Sequence, residues 1–343
     1  MPKAYLVLEN GQVYEGESFG AELSCAGELV FNTGMIGYTQ SLTEPAYSGQ
    51  ILLNTFPQTG GYGVTPADFV SEDGGPCGYI VRSYCKTPSN FRSVMTLNGL
   101  LKLRGIPAIC DIDTRELTKT VRASGKIYAA IADSKEKALE LLNAPRCKPT
   151  CGVKQPLYIE ADKNSKNHVA ILDYGVTNTV LEQLKSRGVN VTLLPQDTSA
   201  SEILSKDYSA VLISQGPGDP NDYSTSELAK LLGEKLVFGI GLGHQLLALA
   251  LGGKAARLAH GHRGLNIAAK DLESGRIRLT NQNHGFAVLE GSIPGKGFKV
   301  TFENLDDGSI EGIDYTDCAA FSVQFEPSDI ELDRFVLRME ESR

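Results

Sequence analysis

The stretch "LVFGIGLGHQLLALALGG" (residues 236–253) sets Gly239, Gly241 and Gly243 at alternate positions between an apolar strand-like run and an apolar helical run. This is the pattern G-x-Nu-x-G, in which the central residue rides a sharp strand-to-helix turn and pushes a nucleophile toward substrate beside a helix N-terminus. Such a turn serves attack on a carbonyl carbon, with nearby backbone N–H groups holding the oxyanion. Here the central residue is Gly241, which has no side chain to attack with.

Other candidates are weaker. "GPGDP" (216–220) reads equally as a tight Gly/Pro loop or as a loop whose N–H groups line a pocket, since glycine lets a ligand approach the main chain. A dinucleotide fingerprint G-x-G-x-x-G fails at its last glycine, where His244 stands. The seven cysteines (25, 77, 85, 110, 147, 151 and 318) are odd in number and irregularly spaced, which fits reduced thiols better than a disulfide framework. Only Cys147 and Cys151 suggest a metal pair, and with Pro149 between them and no second pair nearby, no metal site is expected.

These turns need a sheet to carry them. From residue 168 the chain alternates: strand "HVAILDYG", helix "VTNTVLEQLKSRG", strands "VNVTLLP" and "YSAVLIS", helix "TSELAKLLGEK", then "LVFGI" into the glycine turn. Alternating β and α units predict a mostly parallel sheet flanked by helices, with ligand groups at the carboxyl ends of the strands. A more β-like tail, "RIRLTNQNHGFAVLEG" to "AAFSVQFEP", and a terminal helix "DIELDRFVLRMEES" close the chain. The first half is β-rich and glycine-punctuated ("AYLVLENGQVYEG", "GELVFNTGMIGY", "GQILLNTF", "GYIVRSYC"), with two helices, "SVMTLNGLLKLRG" and "TRELTKTVRASG". Residues 151–167 lose apolar periodicity and are expected to be a linker between domains 1–150 and 168–343.

Length and composition agree. At 343 residues and 41% hydrophobic, the chain can bury about two cores. A net charge of −8 with thinly spread Lys and Arg argues against nucleic acid or an anionic membrane as partner. No apolar run reaches the roughly 20 residues of a bilayer span, and the N-terminus lacks a signal-peptide core, so a cytoplasmic protein is expected.

Taken together, "FGIGLGHQLLALALGG", "GPGDP", "GHRG", "QNHGFAV" and "AAFSVQFEP" resemble the class I glutamine amidotransferase domain. With "FNTGMIGYTQSLTEPAYSGQ", "PSNFRS" and "DIDTRELTK" upstream, the chain resembles the carbamoyl phosphate synthetase small-subunit family over nearly its whole length. The resemblance implies a C-terminal amidotransferase domain behind a β-rich α/β N-terminal domain. It also implies a heterodimer in which the small subunit hydrolyses glutamine and passes ammonia to a large subunit, for arginine and pyrimidine synthesis. ATP and Mg are used by the large subunit, so no cofactor is expected in this chain.

In that family a cysteine stands at the position of Gly241, and the histidine and glutamate stand in S-V-Q-x-H-P-E. Here the segment reads "SVQFEPS", so Glu326 replaces the histidine and Ser328 the glutamate. The five histidines are 168, 244, 260, 262 and 284; His244 belongs to the elbow helix and none lies in the last 59 residues. No cysteine lies between 151 and 318, and Cys318, before the last strand, reads as a structural thiol. Further departures are Thr177 and Thr179 after "DYG", Leu265, Ile267 and Ala268 in "GLNIA", and a shortened loop after Pro327. The glutamine-contact positions carried over are Ser48, Gly216, Gly218, Leu242, Gln245, Asn283, Gly285 and Phe286, while Leu265 and Ile267 are expected to refill part of the pocket. The leading expectation is a glutaminase-deficient small subunit that docks an ammonia-using large subunit. The alternatives are a glutamine-sensing paralogue without turnover and an amidohydrolase with a relocated nucleophile, for which no serine or cysteine adjoins Gly241.

Overall fold

The computed structural model describes residues 2–146 and 148–342 and divides into two compact units, Met1–Pro149 and Thr150–Arg343. Cys147, one member of the weighed cysteine pair, lies outside the described residues.

In the first unit, strands β1 (Lys3–Leu8), β2 (Val13–Gly20), β3 (Cys25–Asn32), β4 (Gln50–Asn54), β5 (Gly78–Ile80), β6 (Pro107–Cys110) and β7 (Tyr128–Ala132) close into a barrel. The order is β1-β2-β6-β5-β4-β3-β7, with β7 returning to pair with β1. Successive side chains of a strand face opposite ways, so each strand feeds two cores. Leu29, Ile51, Ile80 and Ile109 join Leu117 and Val121 of α2 (Thr114–Ser124). Their neighbours Val30, Leu52, Tyr79 and Ala108 join Leu97, Leu100 and Leu101 of α1 (Leu97–Leu103). A third helix, α3 (Lys135–Asn143), capped by Ser134, buries Ala138 against Val7 and Ala130. Neither β7 nor α3 stands out in the sequence: β7 (YAAIA) is short and alanine-rich, and α3 fully buries only Ala138.

Among the described residues the second unit forms a ten-stranded sheet. Its strands are β8 (Leu157–Ile159), β9 (His168–Asp173), β10 (Asn190–Pro195), β11 (Ala210–Ile213), β12 (Leu236–Ile240), β13 (Ala255–Asp271), β14 (Ile277–Val288), β15 (Phe298–Asn304), β16 (Ile310–Tyr315) and β17 (Ala320–Val323). Their order is β8-β10-β9-β11-β12-β17-β16-β14-β13-β15; the run from β10 to β17 is parallel and the rest antiparallel. Both faces of β9 are buried. Ala170 and Leu172 pack with α5 (Ser226–Leu231) and α6 (Leu242–Ala250), and Val169 and Ile171 with α4 (Asn178–Ser186) and α7 (Asp329–Glu341). The expected α/β class holds.

Residues 151–167 depart from the expected linker. Strand β8 pairs antiparallel with β10, and the backbone N–H groups of Ala161 and Asp162 donate to the Asn190 side-chain oxygen at 2.8 and 3.2 Å. An edge strand with both Leu157 and Tyr158 half exposed has no apolar alternation to betray it. No described helix is long and apolar enough to cross a membrane.

Candidate active site

Strand β12 ends at Ile240, Gly241 turns the chain at φ 56° and ψ −109°, and α6 begins at Leu242. The Gly241 N–H donates to Val323 O at 2.9 Å, which ties the turn to β17. The three glycines answer two needs. A Cβ on Gly243 would stand 2.1 Å from Ile213 O, and one on Gly239 would stand 2.7 Å from Gly243 O, so the outer two allow the turn to pack closely. Gly241 alone has the left-handed backbone that side chains resist, and a Cβ there would meet the Cβ of Gln215 at 2.9 Å.

Gln215 leads into the other two substituted positions. Its Nε2 donates to Thr177 Oγ1 at 3.1 Å, and Thr177 Oγ1 donates to Glu326 Oε1 at 3.4 Å. Asn281 Nδ2 donates to Glu326 Oε2 at 2.5 Å, while the Glu326 N–H donates to Asn281 O at 2.9 Å. Thr177 precedes α4 at its N-cap position, yet its hydroxyl is turned to Glu326 and caps nothing. Ser328 is occupied locally as well. Its Oγ accepts from Ile330 N at 3.3 Å, and Glu331 Oε2 accepts from Ser328 N at 2.9 Å, a capping box that starts α7. The three positions therefore hold a bare backbone, a carboxylate between two donors and a helix cap. None offers a thiol paired with an imidazole, and the Ser328 hydroxyl, which donates to Glu331 Oε2 at 2.7 Å, is spent in the helix cap.

His244 is a core histidine. Its Nδ1 lies 2.8 Å from Ser322 Oγ, its Nε2 has no hydrogen-bond partner among the described residues, and burial pushes the imidazole down to about 3. Folded and unfolded chains both carry it neutral at pH 7. Below about pH 6.5 the unfolded chain takes up a proton that the folded one refuses. Stability from this group is thus expected to fall as pH drops from about 6.5 to 3, by about 2 kcal/mol at pH 5. Urea unfolding across that range should show a shallower slope for His244→Gln; parallel curves for variant and wild type would contradict the assignment.

Of the eight expected glutamine contacts, Ser48 closes a short 3-10 turn (Pro45–Tyr47) in the first unit and the rest lie in the second. Gln245 and Phe286 meet: Gln245 Nε2 donates to Phe286 O at 2.8 Å and to Gln324 Oε1 at 2.9 Å. Leu242 is buried in the core with Leu246, so only its backbone is left to face a ligand. Gly216 lies against Tyr174, whose backbone O a Cβ would meet at 2.6 Å, and Gly218 takes φ 97° beside Tyr223. Gly285 faces an Arg263 guanidinium nitrogen, and Asn283 Nδ2 is buried with no hydrogen-bond partner among the described residues. Of the two expected pocket fillers, Leu265 is 41% exposed and Ile267 partly buried, and they flank a shift in the register of β13 against β14. Sequence reasoning missed Gln215 and Asn281, although Gln215 directly precedes Gly216. It also missed a buried group, His262, His284 and Glu311, that the strand register brings together.

Two family models match the chain: "Carbamoyl-phosphate synthase small chain, CPSase domain" over residues 6–131 and "Glutamine amidotransferase class-I" over residues 170–331. A carbamoyl phosphate synthase small chain from Streptococcus pyogenes serotype M3 is 39% identical over 334 residues, 95% of this chain and 92% of the relative. The chain belongs to the carbamoyl phosphate synthase small-chain family. A small chain from Listeria monocytogenes serovar 1/2a is 42% identical over the same shares, and a pyrimidine-specific small chain from Halalkalibacterium halodurans is 38% identical over 99% of this chain and 98% of its own. The class I amidotransferase match spans the strand, turn and helix that carry Gly241.

Proposed function

We propose that this small chain has lost glutamine hydrolysis and acts as a structural partner of a carbamoyl phosphate synthase large subunit, which draws on free ammonia. The observation that carries this reading is the network around the elbow: Gln215 crowds the place of a side chain on Gly241, and Glu326 is held by Thr177 and Asn281. The chain supplies no cofactor; ATP and Mg are handled by the large subunit, in arginine or pyrimidine synthesis. Purification of the native complex tests the reading, with glutamine and ammonium compared as nitrogen donors for carbamoyl phosphate. Equal use of both would overturn it.

Docking is assigned to the first unit. Phe91 in "PSNFRS" is 97% exposed, and Met35 and Ile36 in "FNTGMIGY" are 67% and 68% exposed. These apolar residues contribute little to their own core, and a partner surface is what would bury them. Phe91→Asp is expected to weaken binding of the large subunit by about 30-fold, the factor for a 2 kcal/mol hot spot, without unfolding the chain. Unchanged affinity in a titration of the full chain with the large subunit would move the interface elsewhere.

A second reading, glutamine binding without turnover, is supported by Asn283 Nδ2, a buried donor without a partner among the described residues. Calorimetry with glutamine separates the two readings, since only a sensor binds it at physiological concentration.

A further inference from the structure

We propose that His262, His284 and Glu311 form a binding site for a divalent transition-metal ion of the zinc class. His262 on β13 and His284 on β14 are directly paired across the ladder, with ring centroids 4.9 Å apart and planes at 90°. Glu311 reaches the same place from β16. One ligand atom from each residue lies within 4.8 Å of the others, with Glu311 Oε1 3.3 Å from His262 Nδ1 and 3.7 Å from His284 Nε2. Ligands 2.0–2.1 Å from a tetrahedral zinc stand roughly 3.3 Å apart, so the two distances to Glu311 already fit and the two imidazole nitrogens must draw together by a side-chain rotation as the ion enters.

The surroundings orient the donors. His284 faces an acceptor at each ring nitrogen, Phe286 O at 2.8 Å from Nδ1 and Gln282 Oε1 at 3.0 Å from Nε2, so the neutral ring with its proton on Nδ1 turns its Nε2 lone pair toward Gln282 Oε1 and Glu311, where an ion would reconcile them. His262 Nε2 is held by Asp307 Oδ2 at 3.1 Å, which leaves Nδ1 toward Glu311. A backbone carbonyl behind one imidazole and a carboxylate behind the other is the outer shell that metal-ligating histidines use. Glu311 is fully buried and its Oε2 has no hydrogen-bond partner among the described residues, a costly state for a carboxylate that an ion would relieve. Asn304 Nδ2, 3.2 Å from both His262 Nδ1 and Glu311 Oε1, would turn aside as the ion enters, and the Gln282 amide, 3.0 Å from His284 Nε2, or water completes the set.

The rival state is a metal-free network in which a protonated His262 bridges Asp307 and Glu311. The ion would instead join β13, β14 and β16. It would also sit one carbonyl from the elbow helix, because Phe286 O accepts from both His284 and Gln245.

The test uses the full chain stripped with a chelator, then titrated with Zn2+ and with Co2+ as a spectroscopic probe. One Zn2+ per chain, a raised melting temperature and the intense visible bands of tetrahedral Co2+ are expected. His262→Gln and Glu311→Gln should abolish the site, and Asp307→Asn, which touches no ion, should weaken it by about 10- to 100-fold. His260→Gln, an exposed neighbour, should change nothing. Circular dichroism confirms that each variant is folded. Failure of the folded wild-type chain to bind a stoichiometric ion, or binding that survives His262→Gln or is lost with His260→Gln, would overturn the proposal in favour of the protonated network or a surface site.

Discussion

Ammonia release from glutamine by this chain, alone or with its large subunit, is expected to lie on the order of a millionfold below that of a small chain with an intact cysteine, histidine and glutamate. Attack on the carboxamide needs a thiolate, and a thiolate at neutral pH needs a base beside it. Gly241 provides neither, and the side chain nearest its missing Cβ is Gln215, an amide whose nitrogen is committed to Thr177. Glu326 is an acceptor for two donors, and water activated by it would lack the covalent route. His244 lies beneath the sheet on Ser322, and burial keeps it from taking a proton near neutrality. Coupled detection of glutamate and ammonia in the purified complex measures the rate. Turnover within tenfold of an intact small chain would sink the account, because no group around the elbow could explain it.

Restoring the three residues is expected to fail, and failure would have two separable causes. In Gly241→Cys the new side chain adopts a backbone that costs on the order of 1–3 kcal/mol for a non-glycine residue, and Gln215 must give way. The thiol has no imidazole, and the Glu326 carboxylate would push its pKa up, so it stays protonated. Adding Glu326→His gives up the bonds from Thr177 and Asn281, and adding Ser328→Glu removes the cap of α7 at a cost of about 1 kcal/mol. It also sets a second acid beside Glu331, which is already paired with Arg278 at 2.5 Å. The triple variant should therefore unfold at lower urea and, with its imidazole misplaced by about 1 Å, remain at least about a hundredfold less active than an intact small chain. Glutamine-dependent ammonia release for the single and triple variants side by side, with their urea midpoints, reads both effects. Substantial turnover by Gly241→Cys alone would mean that a base is already in place.

The parts of the molecule that were legible in the sequence are those whose signal is local. Alternate glycines between an apolar strand and an apolar helix announce the elbow, and β–α alternation announces the parallel sheet. Strand β8 reads as linker because two half-exposed residues and one partly buried carry no periodicity, and only pairing with β10 makes them a strand. The exposure of Leu265 beside a register shift between β13 and β14 is likewise nothing that composition encodes. The same holds for His262, His284 and Glu311. They are 22 and 27 residues apart in steps along the chain, and nothing short of the register of β13, β14 and β16 would place them together.

The closed barrel of the first unit constrains how that unit can be recognised. Because β1 pairs with both β2 and β7, and each remaining barrel strand is likewise flanked on both sides, the barrel presents no row of unsatisfied backbone N–H and C=O groups. A partner cannot extend it by strand addition, the mode that sheet edges invite. Recognition on this barrel must be written in side chains alone, so two small chains with the same barrel can differ in which large subunit they accept by a handful of surface substitutions, with no change to the ladder beneath.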